Sequence, residues 1–349
     1  MAIIHALAHI PGTYSELAAH IFDMVMLNLQ EKYPRVDFVV DRYPAVSIKC
    51  LERQRRSDGR VMEVQIQGGS QKVPRQWHTF MSAGSNKERL VEFLFTEWQR
   101  GKYADKLGNR MIVMTHGGYC HKLTSQNGRV IAEELTDLQC DHEEADTRIL
   151  LHAKHASSST EQVVIRSPDT DVAILACAFT HNIDANLLFC TGPKHRMRYL
   201  DSNAISGAIG NDMCLALPGM HAFTGCDSTS AFVGKGKKKA FDLIRTDTTM
   251  CQSMKDLGTA FVPNDELVSA YEEFTCSLYG RPGKDVNEVR YRNFCSTNSQ
   301  THQCHLQVIL LGSTQGALII RQRYGTDHLT HSQITKPQME MVGYFPEED

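Results

Sequence analysis

Two short β-branched runs, each leading into acidic residues, constrain this chain most. Val36 to Val40 (VDFVV) ends at Asp41, and Val163 to Ile165 runs through RSP to Asp169 and Asp171. Runs of this length and composition read as buried strands. Between them the apolar pattern is helical. Leu17, Ala18, Ile21, Phe22, Val25, Met26 and Leu29 recur at helical spacing and predict a helix over 15–32. Asn86 to Trp98, 143–156 and a segment from Asp171 read as further helices, and Met111 to Met114 and Leu187 to Cys190 as further strands. Strands alternating with helices over short links predict an α/β fold, with a mostly parallel central sheet and helices on both faces. In such sheets functional side chains gather beyond the carboxyl ends of the strands. Asp41, Asp169 and Asp171 fall there.

Composition narrows the function classes. The 349 residues suffice for one large α/β domain or two small ones. Forty acidic against 37 basic side chains exclude a disordered polyanion and a uniformly basic coat protein. No run approaches the roughly 18 apolar residues of a membrane span, so no membrane partner is expected. The start, MAIIHALAHIPGTYSE, lacks the pattern of a signal peptide. Eleven cysteines with no CxxC pair predict reduced thiols in an intracellular compartment. Residues 49–60 are basic and read as helical, 61–78 as a loop or mobile arch, and 125–128 as a turn; beyond about 247 the periodicity weakens, and 280–305 is polar and irregular.

Three segments carry chemistry. Glu133 to Asp146 (EELTDLQCDHEEAD) holds seven carboxylates in fourteen residues with no lysine or arginine. Acids at a helix start also suit the positive end of its dipole, and one of the pair Asp169 and Asp171 suits an N-cap. Two carboxylates this close repel unless a cation neutralises them, and hard cations prefer carboxylate oxygens. In FTGCDSTSAFVGKGKKKAFDLI, Asp227 follows a glycine turn, and Gly234, Lys235 and Gly236 introduce a helix. Backbone N–H groups of such a turn make a phosphate seat. Lys235, Lys237, Lys238 and Lys239 add positive charge for a nucleic-acid backbone, and KGKKK also suits a nuclear-localisation patch. Cys295, His302, Cys304 and His305 lack zinc-site spacing and read as a surface loop. His142, His152 and His155 read as surface or supporting residues. Trp77 is a candidate for stacking on bases, and Trp98 for the core.

Taken together, VDFVVDRYPAVSIKCLERQRR, HEEADTRI, SPDTDVAIL and TGCDSTSAFVGKGKKKAFDLI resemble the PIN-like nuclease superfamily, in its flap-endonuclease and xeroderma-pigmentosum-G branch with asteroid-like relatives. The resemblance spans roughly residues 13 to 245. It implies a PIN-like domain over 1–246, with a glycine-rich helix–turn–helix at 227–246, and a poorly defined extension over 247–349. The implied activity is a metal-dependent, structure-selective nuclease of 5′-exonuclease or flap-endonuclease type. Two Mg²⁺ or Mn²⁺ ions about 4 Å apart would serve hydrolysis. Asp41, Glu144, Asp169, Asp171 and Asp227 match the metal ligands. His142 stands where the family has its first glutamate, with Glu143 or Asp146 as compensating acids. Lys49 and Arg56 match the residues on the scissile phosphate, and 61–85 takes the place of the family's arch. Gly234, Lys235, Gly236 and the following lysines match the element gripping nucleic acid without regard to sequence, DNA ahead of RNA. The family's first strand, with its own metal-ligand Asp, is expected ahead of Met1. A protein lacking it is expected to be a catalytically impaired nucleic-acid-binding or scaffold protein. The expected compartment is the nucleus ahead of the cytoplasm.

Overall fold

A capping box at Thr13 starts the first helix: the Thr13 hydroxyl accepts the Glu16 N–H, and the Glu16 carboxylate accepts the Thr13 N–H. The computed structural model describes residues 9–27, 34–43, 62–193, 196–226, 234–260, 263–280 and 285–296, together with Ile4, Leu7, Thr229, Ala231 and Phe232. The first helix, α1 (Tyr14–Met26), buries Leu17, Ile21, Phe22 and Val25. Strand β1 (Arg35–Phe38) follows, then α2 (Trp77–Ser82), α3 (Gly84–Trp98), α4 (Ala104–Leu107), β2 (Met111–His116), β3 (Tyr119–Gln126) and β4 (Arg129–Glu134). Next come α5 (Ala145–Ser157), β5 (Gln162–Arg166), α6 (Thr170–Phe179), β6 (Asn186–Thr191), β7 (Arg198–Asp201), α7 (Ser202–Ile209) and α8 (Asn211–Phe223). Helices α9 (Lys237–Thr246), α10 (Thr248–Asp256), α11 (Asp265–Leu278) and α12 (Val286–Ser296) complete the described residues. None of these helices is long and apolar enough to cross a membrane.

The fold is α/β, but among the described residues the expected single, mostly parallel sheet is corrected to two mixed sheets. One has the order β1-β2-β3-β4, the other β5-β6-β7. Only β1 with β2 and β5 with β6 run parallel; β2–β3, β3–β4 and β6–β7 are antiparallel. The links explain the difference. Asn127 and Gly128 join β3 to β4 with φ of 51° and 70°, the positive pair that a two-residue hairpin requires. A parallel crossover needs a dozen or so residues, which these links do not supply.

Helices cover the first sheet on both faces. Ile112 and Met114 of β2 meet Leu17, Phe22, Leu94 and Trp98 of α1 and α3, as expected for Trp98. The alternate residue, Val113, packs with Cys120, Leu138 and Leu151 of α5 on the other face. In the second sheet Ile165, Leu187 and Phe189 pack with Leu150 and Ala153 of α5 and Val172 and Leu175 of α6. Val164 and Tyr199, on its opposite face, are exposed. Helix α5 therefore joins the two sheets. A third apolar cluster is built from α8 to α12, through Phe223, Ala240, Met254, Phe274 and Val289. Gly219 lets α8 and α10 approach, since a Cβ there would stand 2.0 Å from the Met254 carbonyl oxygen. The weak periodicity beyond 247 thus hides three helices, and α12 lies inside the stretch read as irregular.

Residues 62–73 are loop, as one of the two sequence readings had it, laid as an extended strap along α1 and α3. Tyr14 N–H donates to Gln71 O at 3.0 Å, and Ser15 N–H to Gly69 O at 2.9 Å. Buried Asn86 accepts the Val64 N–H at 2.9 Å and donates to Met62 O and Phe80 O. Met62, Val64 and Ile66 pack on the first core. Polar composition had concealed their alternation. Trp77 is buried and stacked on Phe80, so it is not available to bases.

A buried polar chain ties β1 to α5. Asp37 accepts from His152 Nδ1 at 2.7 Å and pairs with Arg35 at 2.7 Å; Arg35 also reaches His155. His152 is thus a buried structural residue rather than a surface one. Burial alone would raise the Asp37 pKa, but the hydrogen bonds and charges of His152 and Arg35 hold it below the ordinary carboxylate value. A folded-state pKa below the unfolded one gives stability that is present above about pH 4 and lost as pH falls through the folded value. Asp37→Asn is therefore expected to lower unfolding stability at pH 7 by about 3 kcal/mol. In urea titrations across pH, the gap from wild type should shrink below about pH 4.

Candidate acidic site at the strand ends

Two hydrogen bonds, one to the Asp41 side chain and one within the main chain, bring the end of β1 to the start of α5, and Tyr43 steadies Asp41. The Ala145 N–H donates to Asp41 Oδ1 at 3.0 Å, and the Tyr43 hydroxyl donates to Asp41 Oδ2 at 3.0 Å. The Arg42 N–H donates to Glu143 O at 2.8 Å. One turn into α5, fully buried Arg148 donates to Val40 O and Gly117 O, both at 3.1 Å. The guanidinium thereby fixes the carboxyl end of β1 against the β2–β3 turn. Thr115 adds a side-chain tie, its hydroxyl accepting the Val40 N–H at 2.9 Å.

The second strand end is built similarly. Asp169 is the N-cap of α6 and accepts the Asp171 N–H at 2.9 Å, while Ser167 Oγ accepts the Asp169 N–H at 3.1 Å. Asp171, in the first turn, meets His221 of α8, Nε2 to Oδ1 at 2.7 Å. Glu144 is buried at the N-cap position of α5, and Asp146 lies in the first turn. Burial, then the charges of Asp169, Glu144, Asp41 and Asp171, push the Asp146 pKa up to about 7. Four carboxylates, from the end of β1 and the N-termini of α5 and α6, therefore act on Asp146. His142, half-buried in the segment before α5, has its pKa lowered, mainly by burial.

Among the described residues no three His, Cys, Asp or Glu side chains stand as a ready-made metal-ligand set. The donors are nonetheless all carboxylate oxygens, the chemistry Mg²⁺ and Mn²⁺ take. Asp227, Lys49 and Arg56 lie outside the described residues, as do His302, Cys304 and His305.

The glycine–lysine segment sits close by. Gly234 has φ of +69°, and Gly236 is the N-cap of α9, with no side-chain cap. The lysines divide. Lys237 spends its ammonium on the chain itself, donating to His221 O at 3.0 Å, Gly225 O at 2.5 Å and Thr224 Oγ1 at 3.4 Å. Its charge also acts on Asp171. Lys235 lies over the Tyr279 ring, 4.8 Å from the centroid. Lys238 and Lys239 are exposed.

One other constellation has a catalytic outline: Cys120 Sγ lies 4.0 Å from His152 Nε2, with Asp37 behind. Burial pushes that thiol up to about 12, so it is a packed, inert group. Comparisons with known protein families, with curated proteins and with solved structures find no match for this chain.

Sequence reading singled out Asp41, Glu144, Asp169 and Asp171, with Asp146 as a compensating acid, but missed Arg148 as a clamp and His221 altogether. His221 sits in NDMCLALPGMHAF, where Pro218 and Gly219 argue against the helix that forms. Arg148→Met would leave two buried carbonyls without donors and is expected to cost about 3 kcal/mol of unfolding stability. Chemical denaturation of the variant checks this, and Arg148→Lys should recover only part of the loss.

Proposed function

We propose that this chain is a PIN-like, metal-dependent phosphodiesterase acting on nucleic acid, of structure-selective nuclease character. The observation carrying the proposal is the carboxylate patch, in which burial first and then the charges of four other acids drive Asp146 up to about 7. Repulsion this strong is costly for a fold to keep, and a bound divalent cation would relieve it. Asp41, Glu144, Asp146, Asp169 and Asp171, with Asp227, would hold Mg²⁺ or Mn²⁺. When bound, the cations supply an activated water and charge neutralisation at the leaving oxygen. The chain's own contribution is orientation, since Asp41 and Asp169 each have an oxygen fixed by a backbone N–H of α5 or α6. Lys49 and Arg56 would contact the scissile phosphate. The helix–turn–helix role falls on Gly234, Gly236, Lys235, Lys238 and Lys239, because Lys237 is turned inward.

A second reading is a nucleic-acid-binding or scaffold protein without catalysis. What favours it is that Asp41 and Asp169 already have helix-capping work, which by itself accounts for an acid at each position.

Cleavage of branched DNA with Mn²⁺ separates the two. Asp169→Ala and Asp171→Ala are expected to reduce it by at least about 100-fold, whereas cleavage unchanged in both would overturn the nuclease reading. Nothing lies within 4 Å of a Cβ built at Gly236. Gly236→Ala should therefore melt with wild type while binding DNA more weakly, because the methyl group obstructs a phosphate at the turn. Equal affinity by fluorescence anisotropy would exclude the turn as the grip.

A further inference from the structure

We propose that His221 is a positioning residue for Asp171, fixing one carboxylate oxygen so that the acidic patch presents Asp171 to a divalent cation in one orientation. This rests on the metal-binding reading above. His221 Nε2 stands 2.7 Å from Asp171 Oδ1, across 50 residues of sequence, and the imidazole is nine-tenths buried. Its Nδ1 is buried with no hydrogen-bond partner among the described residues. A carboxylate oxygen only accepts, so Nε2 is the donor in this contact.

The donor is itself held from behind. Lys237 Nζ binds the His221 carbonyl, and the Thr224 hydroxyl donates to Met220 O at 2.7 Å in the same turn of chain. Across the patch the same device recurs. Asp41 receives the Ala145 N–H, Asp169 the Asp171 N–H, and Asp171 the His221 ring. Backbone donors serve the first two acids. Asp171 lies beyond the N-cap, inside the first turn of α6, and receives a side chain instead. Donors behind metal-binding groups set ligand orientation, and their removal typically costs 10- to 100-fold in affinity.

The test is Mn²⁺ titration of the full chain, read by electron paramagnetic resonance, in wild type, His221→Leu and His221→Gln. Leucine keeps bulk but has no donor, and glutamine can bring an amide N–H to the Nε2 position. His221→Leu is expected to bind Mn²⁺ about 10- to 100-fold more weakly, with His221→Gln within about threefold of wild type. Wild-type affinity in His221→Leu, or equal losses in both variants, would overturn the proposal. Should His221→Leu fail to fold, His221→Asn replaces it, being too short to reach Asp171, with the same expectations. Absence of Mn²⁺ binding by wild type would instead remove the metal-binding reading and this role with it.

Discussion

Most of the site depends on one buried cation, the Arg148 guanidinium. Burying a charge is costly unless its hydrogens are satisfied. Here Nη1 meets main-chain carbonyls at the end of β1 and in the β2–β3 turn and Nη2 reaches Tyr119 O, while Nε is buried without a partner among the described residues. The arrangement fixes where α5 begins relative to both features, and Asp41 can then cap Ala145. A lysine could place one nitrogen near Val40 O and Gly117 O but would lose the second arm, Nη2, which reaches Tyr119 O.

The acids at the two strand ends serve two purposes that pull against each other. As caps, Asp41 and Asp169 satisfy helix N–H groups and stabilise the fold. As neighbours they crowd like charge into a partly dry patch, and Asp146 bears the consequence. Either purpose alone could place a carboxylate at one position. It is the convergence of all five at adjoining helix starts that capping leaves unexplained.

Much of this was legible in the sequence, for identifiable reasons. VDFVV and VVI are short β-branched runs, and α1 and α3 carry a regular apolar stripe, so local pattern and tertiary burial agree. The strands β3 and β4 were not read because their polar residues break the alternation, and only the turn at Asn127 and Gly128 announced a hairpin. Tyr119–Gln126 alternates poorly because its buried residues, Cys120 and Leu123, stand three apart and so face opposite sides of a sheet covered on both. The strap over 62–73 looked like a loop because its order comes from Asn86, more than a dozen residues downstream. The His221–Asp171 contact leaves no local trace, since no spacing rule connects a residue inside a proline-containing helix to an acid fifty positions earlier.

The separateness of the apolar clusters has its own consequence. Phe223, Met254 and Phe274 share no cluster with Leu17, Leu94 and Trp98, and α5 and α6 stand between. Cooperativity follows shared packing. Heat or denaturant should accordingly dismantle this molecule in stages, the α8–α12 bundle melting as one unit and the strap-bound N-terminal half as another. His221 belongs to the first unit and Asp41 to the second, so partial melting would part the acidic patch while much of the polypeptide kept its shape.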